Sequence, residues 1–356
     1  MYMHRDSVAY VNMTHIKENI SYIYKKANKP IMAVVKANAY GHGLVAIAKA
    51  IESIDCIEMF GVATLEEALE LRKFGIKKAI LVLGVTKVED LDLVADQNIH
   101  ITAYSLKFIN QLLSTSINKK VTVHIKIDTG MNRIGIKEYE VVAAVLTKLQ
   151  KHKNVIVEGV FTHYGAADEE NDTYQQQFDS FKNMIKDFNL KYIHAANSAA
   201  ALYHYENTTN LVRCGISMYG VEANGQIESS LKQAMSLYSK VSMVKQIQKG
   251  EKVGYGFDYE AKSTAYIATI PLGYGDGFIR KNQGRNVYIN GKFYPIIGKV
   301  CMDQLMIEVD ETIKENDVIE IFGEHIPLNQ MAKELDTIAY EIICLLSSRI
   351  PRIYIE

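Results

Sequence analysis

The residues from Ile31 to about Gly220 alternate between two hydrophobic patterns. Short apolar runs rich in β-branched residues are typical of buried strands, and apolar residues spaced three or four apart are typical of amphipathic helices. Thr64 and Glu67 have the spacing of a capping box. The predicted helices include Leu65–Phe74, Tyr139–Gln150 and Tyr174–Phe188. The predicted strands are Ile31–Val35, Phe60–Ala63, Ala79–Leu83, Ile99–Ala103, Val121–Ile127, Val157–Thr162, Tyr192–Ala195 and Leu211–Arg213.

Eight strand-and-helix repeats of this kind predict an α/β fold, a parallel (β/α)₈ barrel of the TIM type. An open, doubly wound sheet is the structural alternative. That fold commonly has a GxGxxG motif after its first strand, and no such motif follows Ile31–Val35. The barrel is therefore the favoured prediction.

Beyond about Glu222 short strand patterns replace most of the helical ones. Asn290-Gly291 is a strong hairpin signal, and one helix is predicted over Leu328–Glu334. An early strand, Ser7–Met13, is expected to pair with this region. The other predicted strands are Ser239–Ile247, Ala265–Pro271, Val287–Ile289, Phe293–Ile297, Leu305–Val309 and Val318–Phe322. We predict a barrel domain over residues 8–228, followed by a β-rich domain over residues 229–356 that includes the strand within residues 1–13.

Several polar residues stand where the predicted barrel strands end. In a barrel of this type the carboxyl ends of the strands meet at one face, and that face carries the active site. A single residue in such a position could be a core histidine or an ion-pair partner, but several on one rim predict a site. They are Lys36, Lys126, Asp128, Arg133, His163, Asn197, Ser198 and Arg213.

Ser198 has a further feature, because it precedes a predicted helix, Ala199–Tyr205. As the N-cap of that helix it would lie beside free amides that attract an anion. Gly215 follows the eighth strand and permits a close approach of the backbone to a ligand. Barrel enzymes often bind phosphate after strands seven and eight. The two residues together predict a phosphate site.

Lys36 ends the apolar run of IMAVVKANAYGHG, where it is expected to be half-buried. Burial favours the neutral, nucleophilic form of a lysine amine, whose ordinary pKa is about 10.4. Such a lysine can react with an aldehyde to form a Schiff base. The position of Lys36 alone leaves two interpretations open, a lysine that merely ends a strand at the surface and a lysine that takes part in carbonyl chemistry at the rim.

Composition and charge restrict the functions further. The formal net charge is −1 without a basic run, so no nucleic-acid partner is expected. No apolar segment approaches the ~20 residues that span a bilayer, and no signal-peptide pattern opens the sequence. The cysteines, Cys56, Cys214, Cys301 and Cys344, lack the spacing of a disulfide framework or zinc site. These features predict a cytoplasmic protein without a membrane partner.

The motif VVKANAYGHG resembles the pyridoxal-phosphate lysine motif of alanine racemases. HIKIDTGMNRIG, HAANSAA, VRCGISMYG, VGYGFDY, LGYGDGF and GKVCMDQ extend the resemblance over nearly the whole chain. The resemblance implies a fold type III enzyme that uses pyridoxal 5'-phosphate and interconverts L- and D-alanine, supplying D-alanine for peptidoglycan. It also implies a homodimer whose active sites are shared between subunits, and it implies no metal.

By the same resemblance, Lys36 and Tyr255 are the two catalytic bases, one for each face of the α-carbon. Lys126 matches a lysine that is often carbamylated. Arg133, Met302 and Tyr274 match residues that contact the substrate or line the entrance to the site. The residues implied to bind the cofactor are Lys36, Tyr40, His163, Asn197, Ser198, Arg213, Gly215 and Ile216.

The chain departs from the family pattern at a few positions. Ser348 stands where many relatives have a tyrosine that reaches the cofactor phosphate, which puts that contact in doubt. Asn132, Cys214 and Gly254 replace the Gly, Pro and Ser of many relatives. These three are loop positions at which we expect mild effects.

Other functions are weighed against the leading hypothesis. A racemase of serine or of several small amino acids shares most of these motifs. A non-enzymatic pyridoxal-phosphate protein resembles only the first domain, and barrel decarboxylases have a glycine-rich phosphate loop that this chain lacks. A metal-dependent barrel hydrolase would use His124, Asp128, His163 and Asp168, whose residue types suit a divalent metal. Their spacing matches no recognised ligand pattern.

Overall fold

The computed structural model describes residues 4–169, 171–204, 207–225 and 230–356. The chain forms two compact units. One comprises residues 19–218, and the other comprises residues up to 18 together with residues 219–356. The predicted domain boundary between residues 228 and 229 lies outside the described residues. No helix in the described part of the chain has the length and apolar character needed to cross a membrane.

The first strand, β1 (Val8–Asn12), belongs to the second of these units. The unit of residues 19–218 contains a sheet of eight parallel strands. Each strand pairs with its neighbour in sequence, the last pairs with the first, and a parallel bridge between His194 and Leu211 joins the remaining edges. The strands are β2 (Ile31–Val34), β3 (Ile57–Val62), β4 (Ala79–Val82), β5 (Ile99–Ala103), β6 (Val121–Lys126), β7 (Val155–Phe161), β8 (Tyr192–His194) and β9 (Val212–Cys214).

This sheet confirms the predicted (β/α)₈ barrel, and the open doubly wound alternative is wrong. All eight predicted strands are present, each within a few residues of its predicted bounds. The helices are α1 (Met13–Ala27), which crosses into this unit, then α2 (Leu44–Ile51), α3 (Leu65–Lys73), α4 (Leu91–Asp96), α5 (Leu106–Ser114), α6 (Tyr139–Lys151), α7 (Thr173–Ile185) and α8 (Ser198–Tyr203).

The predicted capping box at the start of α3 is confirmed. The Thr64 hydroxyl accepts a hydrogen bond from the Glu67 amide, and the Glu67 carboxylate accepts one from the Thr64 amide. Both bonds use amides that the helix itself leaves without partners.

The second unit is dominated by β-strands, accompanied by two helices, α9 (Leu328–Glu334) and α10 (Ala339–Leu345). Its strands after β1 are β10 (Met235–Lys240), β11 (Met243–Ile247), β12 (Lys252–Val253), β13 (Tyr259–Glu260), β14 (Ala265–Ile270), β15 (Asn286–Ile289), β16 (Lys292–Ile297), β17 (Leu305–Val309), β18 (Val318–Phe322) and β19 (Arg352–Ile355). Nine strands form one sheet in the order β11-β14-β17-β16-β15-β18-β10-β1-β19, and β12 and β13 form a separate pair.

Two predictions for this sheet are confirmed and one is wrong. Asn290 and Gly291 join β15 to β16 in a hairpin, both with positive φ, as the favoured two-residue turn requires. The early strand β1 pairs with β10 and with β19. The single strand predicted over Ser239–Ile247 is two strands, because the chain turns after Lys240 and the halves pair with different partners.

Candidate active site

Lys36 lies at the carboxyl end of β2, half-buried, as the sequence predicts. The four residues that follow it adopt an unusual backbone. Ala37, Asn38, Ala39 and Tyr40 have φ angles of 53°, 54°, 52° and 51°. A left-handed turn of this kind costs roughly 1–2 kcal/mol per residue when the residues are not glycine. Such strain persists only where the surroundings impose it, and it is common at functional sites.

Side chains and backbone groups hold this left-handed turn. Glu67 Oε1 accepts a hydrogen bond of 2.6 Å from the Ala37 amide, and its Oε2 accepts one of 2.8 Å from Ala63. The Asn38 carboxamide oxygen accepts a bond of 2.8 Å from Leu44 at the start of α2. Glu67 therefore has two tasks, the cap of α3 and the support of the peptide after Lys36. The capping box is visible in the sequence, but nothing there reveals the second task.

Tyr40 closes the left-handed turn and lies against the backbone of Gly215. A Cβ atom at Gly215 would be 2.4 Å from the Tyr40 hydroxyl oxygen, so only glycine permits this approach. The Gly215 amide donates to the Ser198 hydroxyl at 3.1 Å, and Ile216, buried beside it, begins a short 3₁₀ turn. Four of the predicted cofactor residues thus form one cluster of hydroxyl and amide groups.

The predicted role of Ser198 as an N-cap is wrong. Asn197 caps α8, with its side-chain oxygen accepting a hydrogen bond of 3.0 Å from the Ala200 amide. Ser198 is the first residue of α8, and its hydroxyl is drawn away from the helix by Gly215 and by Ser217 at 3.0 Å. The predicted helix end, Tyr205, lies outside the described residues.

Arg213 is buried in the middle of β9, and its guanidinium is fixed by acceptors from two neighbouring segments, the carboxyl ends of β7 and β8. Its Nη2 donates to the carbonyl oxygens of Thr162 at 2.8 Å and Ala195 at 2.9 Å, and to His163 Nδ1 at 3.1 Å. Its Nη1 donates to His194 Nδ1 at 3.2 Å. Because a guanidinium has no acceptor, every one of these contacts has the same direction.

Lys126 ends β6 with its side chain buried, and its amine donates to the Ile127 carbonyl at 2.7 Å. Burial, and then the nearby charge of Arg213, lowers the pKa of Lys126 to about 7. A substantial fraction of the amine is therefore neutral near physiological pH. This is the state in which a lysine amine reacts with electrophiles such as carbon dioxide.

Arg133 lies in a loop that leaves β6 and returns to its end, where Ile127 and Ile136 form a bridge. Asp128 Oδ1 holds this loop by accepting hydrogen bonds of 3.0 Å from the amides of Gly130 and Asn132. Asn132 has a φ of 58°. That region favours glycine, and asparagine is among the few other residues that tolerate it. The departure from the family glycine is thus accommodated by the local backbone.

His163 is a buried rim residue on which several charged side chains act. Burial lowers the pKa of His163 well below its usual value, and the charges of Arg213, Arg133, Lys126 and Lys36 lower it further. The imidazole is therefore neutral. Positive charges beside a neutral, buried group favour an anionic ligand.

The remaining predicted site residues, Tyr255, Tyr274 and Met302, belong to the β-rich unit. Tyr255 begins a 3₁₀ turn between Gly254 and Gly256, which have φ angles of 73° and 76°. Its side chain is 72% exposed. The glycines thus present the phenol on a loop, as the sequence predicts.

Tyr274 and Met302 lie on adjacent turns. The Tyr274 amide donates to the Cys301 carbonyl at 3.0 Å, and the Gly275 amide donates to the Met302 carbonyl at 2.8 Å. Asp276, fully buried, supports the Tyr274 turn by accepting a bond of 3.0 Å from Gly273. Arg5 lies 2.6 Å from the Asp276 carboxylate and balances its charge.

The four residues considered for a metal-dependent hydrolase do not form a ligand set in the described parts of the chain. Asp128 is occupied by its loop, and His163 by Arg213. Among the described residues, the cluster with the spacing of metal ligands is His100, His124 and Glu158. Of these only His124 was part of the predicted set.

Comparisons with known proteins agree with this arrangement over both units. Residues 11–223 match the family model described as alanine racemase, N-terminal domain, and residues 234–354 match the model described as alanine racemase, C-terminal domain. Alanine racemase 1 of Bacillus subtilis (strain 168) is 39% identical over 367 residues, covering 99% of this chain and 94% of that protein.

Solved structures give the same result. The crystal structure of alanine racemase from E. faecalis is similar with a TM-score of 0.95 and 36% identity, covering 99% of each chain. The structure of alanine racemase from Bacillus anthracis with bound L-Ala-P has a TM-score of 0.92 and 36% identity, covering 100% of this chain and 96% of that one. The chain belongs to the alanine racemase family.

Proposed function

We propose that this chain is a racemase that interconverts L- and D-alanine with pyridoxal 5'-phosphate as its cofactor. The observation that carries the proposal is the position of Arg213, which donates to the neutral His163 at 3.1 Å at the carboxyl face of the barrel, with Arg133, Lys126 and Lys36 near enough to lower the pKa of the same imidazole. Such a rim suits an anionic cofactor and a substrate carboxylate. The names of the relatives indicate which amino acid is involved.

The residues present fit this cofactor. Lys36 offers an amine four residues before Tyr40. The Tyr40 hydroxyl lies against Gly215, the Gly215 amide donates to the Ser198 hydroxyl, and hydroxyl and amide groups of this kind have the chemistry of phosphate ligands. Arg213 is held so that it can donate to a ring nitrogen and cannot accept from it. When bound, pyridoxal phosphate supplies an aldehyde that takes up the substrate amine and a ring that withdraws electrons from the α-carbon.

Arg213 and Lys36 then have separate tasks. A permanently charged guanidinium has no proton to give up to a ring nitrogen, so it leaves that nitrogen unprotonated and limits electron withdrawal by the ring. This favours return of a proton to the α-carbon over loss of a carboxylate or transfer of the amine. The Lys36 amine receives or returns the α-proton on one face of that carbon.

The second base, in this proposal, is Tyr255 from a second copy of the chain. Racemisation by two bases needs a proton donor on each face of a planar carbon. Tyr255 and Phe257, two positions apart on one turn, are 72% and 66% exposed. Large apolar side chains exposed together mark interaction surfaces. A homodimer that covers them would bring each tyrosine to a partner's barrel.

Substrate contacts and setting complete the proposal. Arg133 binds the substrate carboxylate, Met302 contacts it, and Tyr274 lines the entrance. D-alanine made here supplies peptidoglycan. The four cysteines, all among the described residues, are not joined by disulfides, which fits a reducing compartment such as the cytoplasm.

Turnover of a panel of L- and D-amino acids, followed by chiral chromatography, tests this function. We expect alanine to be racemised fastest and Lys36→Ala to lose both activity and the visible absorbance of bound cofactor. The exposed Lys25 provides a matched control, since Lys25→Ala should keep both. Undiminished cofactor absorbance in Lys36→Ala, or a preference for serine over alanine in the wild type, would contradict the proposal.

A further inference from the structure

Three histidines form a continuous hydrogen-bonded chain inside the barrel, starting at Arg213. His194 Nε2 lies 3.0 Å from His124 Nδ1, and His124 Nε2 lies 3.2 Å from His100 Nδ1. His194 and His124 are fully buried, and His100 is 5% exposed. Glu158 lies beside the last hydrogen bond of the chain, with its Oε2 3.9 Å from His100 Nδ1, the atom that also contacts His124. None of these imidazoles has a task in the proposed reaction.

The sheet is locally modified to make room for this chain. Val123 on β6 pairs with Val157 on β7, whereas the next residue, His124, pairs with Gly159. Glu158 is thus an extra residue, a β-bulge. A Cβ at Gly159 would lie 2.3 Å from His124 Nδ1, so the glycine leaves space for the ring. Bulges and strand glycines that re-aim side chains are common beside active sites.

Arg213 fixes the direction of every hydrogen bond in the chain. Its Nη1 can only donate, so His194 Nδ1 must accept and the proton of this imidazole is on Nε2. His194 Nε2 then donates to His124 Nδ1, which places the second proton on His124 Nε2. His124 Nε2 donates in turn to His100 Nδ1. One donor-only group therefore determines three tautomers.

We propose that His194, His124 and His100 are positioning residues that act as a one-way chain of Nε2-protonated imidazoles and hold the Arg213 guanidinium as a donor. Because the chain is rigid and fully directed, the guanidinium cannot rotate without breaking bonds along the barrel interior. The role toward the cofactor ring rests on the proposed function, but the order of the tautomers does not.

The protonation states agree with this arrangement. Burial lowers the pKa of His100 to about 4 and lowers the pKa values of His124 and His194 well below their usual range. All three imidazoles are therefore neutral at pH 7. A neutral imidazole has one donor and one acceptor, which is what a continuous chain needs.

The same argument decides against a metal ion at His100, His124 and Glu158. Their ligand atoms lie within 4.8 Å of one another, but a metal needs lone pairs on both His100 Nδ1 and His124 Nε2. The lone pair is available at His124 only if its proton moves to Nδ1. With that proton on His124 Nδ1, the His194 proton would have to move from Nε2 to Nδ1. The Nδ1–H group of His194 would then face an N–H group of Arg213, and the hydrogen bond between them would be lost.

The chain is tested by ¹⁵N NMR of the side chains of the full-length protein loaded with pyridoxal phosphate at pH 7. Single His→Gln variants assign the signals. We expect His194, His124 and His100 each to be in the Nε2-protonated form. An Nδ1-protonated His194 or His124 in the wild-type protein would overturn the proposal, whatever the behaviour of the variants.

A pair of variants tests where the direction comes from. In His124→Phe we expect His194 to keep its tautomer, because Arg213 still sets it, and His100 to lose its single form. Glu158→Gln, at the far end, should change none of the three. Loss of the single His194 tautomer in either variant would show that its proton is positioned from the Glu158 end of the chain and not by Arg213. That result would contradict the proposal.

Zinc provides an independent test. Added Zn²⁺ should leave the His100 and His124 signals in place, and stoichiometric loss of both would overturn the chain in favour of a metal site. If the protein racemises alanine but NMR shows the reversed tautomers, only this inference is refuted. If NMR shows the expected tautomers but the protein is inactive, only the proposed function is refuted.

Discussion

The Ala37 amide donates a hydrogen bond of 2.6 Å to Glu67 Oε1, and this bond ties the peptide after Lys36 to the cap of α3. The second carboxylate oxygen accepts from the amides of Ala63 at 2.8 Å and Thr64 at 3.4 Å, so both oxygens are used by backbone amides. A glutamine can accept at only one of these positions and would set an N–H group against the other amide.

We therefore expect Glu67→Gln to lower the free energy of unfolding by about 1 kcal/mol and to reduce racemisation several-fold by loosening the left-handed turn. Denaturant titration and the absorbance of bound cofactor measure the two effects. Glu66→Gln, one residue away and exposed, is the control and should change neither. Equal effects of both substitutions would refute the second task of Glu67.

Lys126 is expected to form a carbamate with carbon dioxide, because its pKa of about 7 leaves the amine partly neutral. A negative carbamate would also lie between the cations of Arg213 and Arg133, whose charges act on Lys126. With ¹³C-bicarbonate, NMR should show a carbamate signal that weakens as the pH falls below about 7, where the amine becomes protonated.

The signal should be absent in Lys126→Gln and retained in Lys120→Gln, which removes an exposed lysine. Activity should fall several-fold in the first variant only. A signal that survives Lys126→Gln would assign the carbamate to another lysine.

Subunit exchange tests the proposed sharing of active sites between subunits. Lys36→Ala and Tyr255→Phe homodimers should each be almost inactive, because each proposed base serves one face of the α-carbon. After mixing and exchange, half the dimers are heterodimers with one intact site in two, so activity should return to about a quarter of the wild-type value. Verified exchange without recovery would show that Tyr255 acts in its own chain or is not the second base.

The lowered pKa of His100 predicts that the folded protein loses stability in acid. Its pKa is lowered from 6.5 to about 4 in the folded protein, so between these values the unfolded chain binds a proton that the folded protein does not. The free energy of unfolding should therefore fall as the pH falls from 6.5 to about 4, by up to about 3 kcal/mol.

His100→Gln removes this contribution while keeping a side-chain acceptor for His124. As the pH falls from 6.5 to about 4, the free energy of unfolding of the variant should rise relative to that of the wild type. Urea unfolding at each pH measures this difference. A constant difference would mean that His100 is protonated in the folded protein.

The barrel and its rim were predictable because they rest on strong local patterns. Buried strands followed by Lys36, Lys126 and His163 are visible in the sequence, and the (β/α)₈ fold makes those strand ends meet. The left-handed turn was not predictable, since Ala37, Asn38 and Ala39 carry no glycine signal and the conformation is imposed by Glu67 from another strand–helix unit.

Errors arose where a long-range contact decides between two local solutions. Ser198 and Asn197 are both good caps, and the choice is made by Gly215 and Ser217, which draw the serine hydroxyl away. The strand predicted through Val241 breaks because its two halves have different partners. The histidine chain depends on a bulge at Glu158, which leaves no trace in hydrophobic periodicity.

The position of β1 has a consequence for the order in which the protein is made. This strand lies between β10 and β19. Residues 8–12 therefore have no partner strand until the ribosome has synthesised β10, which begins at Met235, and β19, which ends at Ile355. At ribosomal rates of roughly 5–20 residues per second, the first partner follows on the order of ten to forty seconds later. The barrel can close on the nascent chain during that interval. The rim that bears Lys36 can thus be complete before the sheet that carries Tyr255 exists, so in the proposed two-base site the tyrosine is the last part to be added.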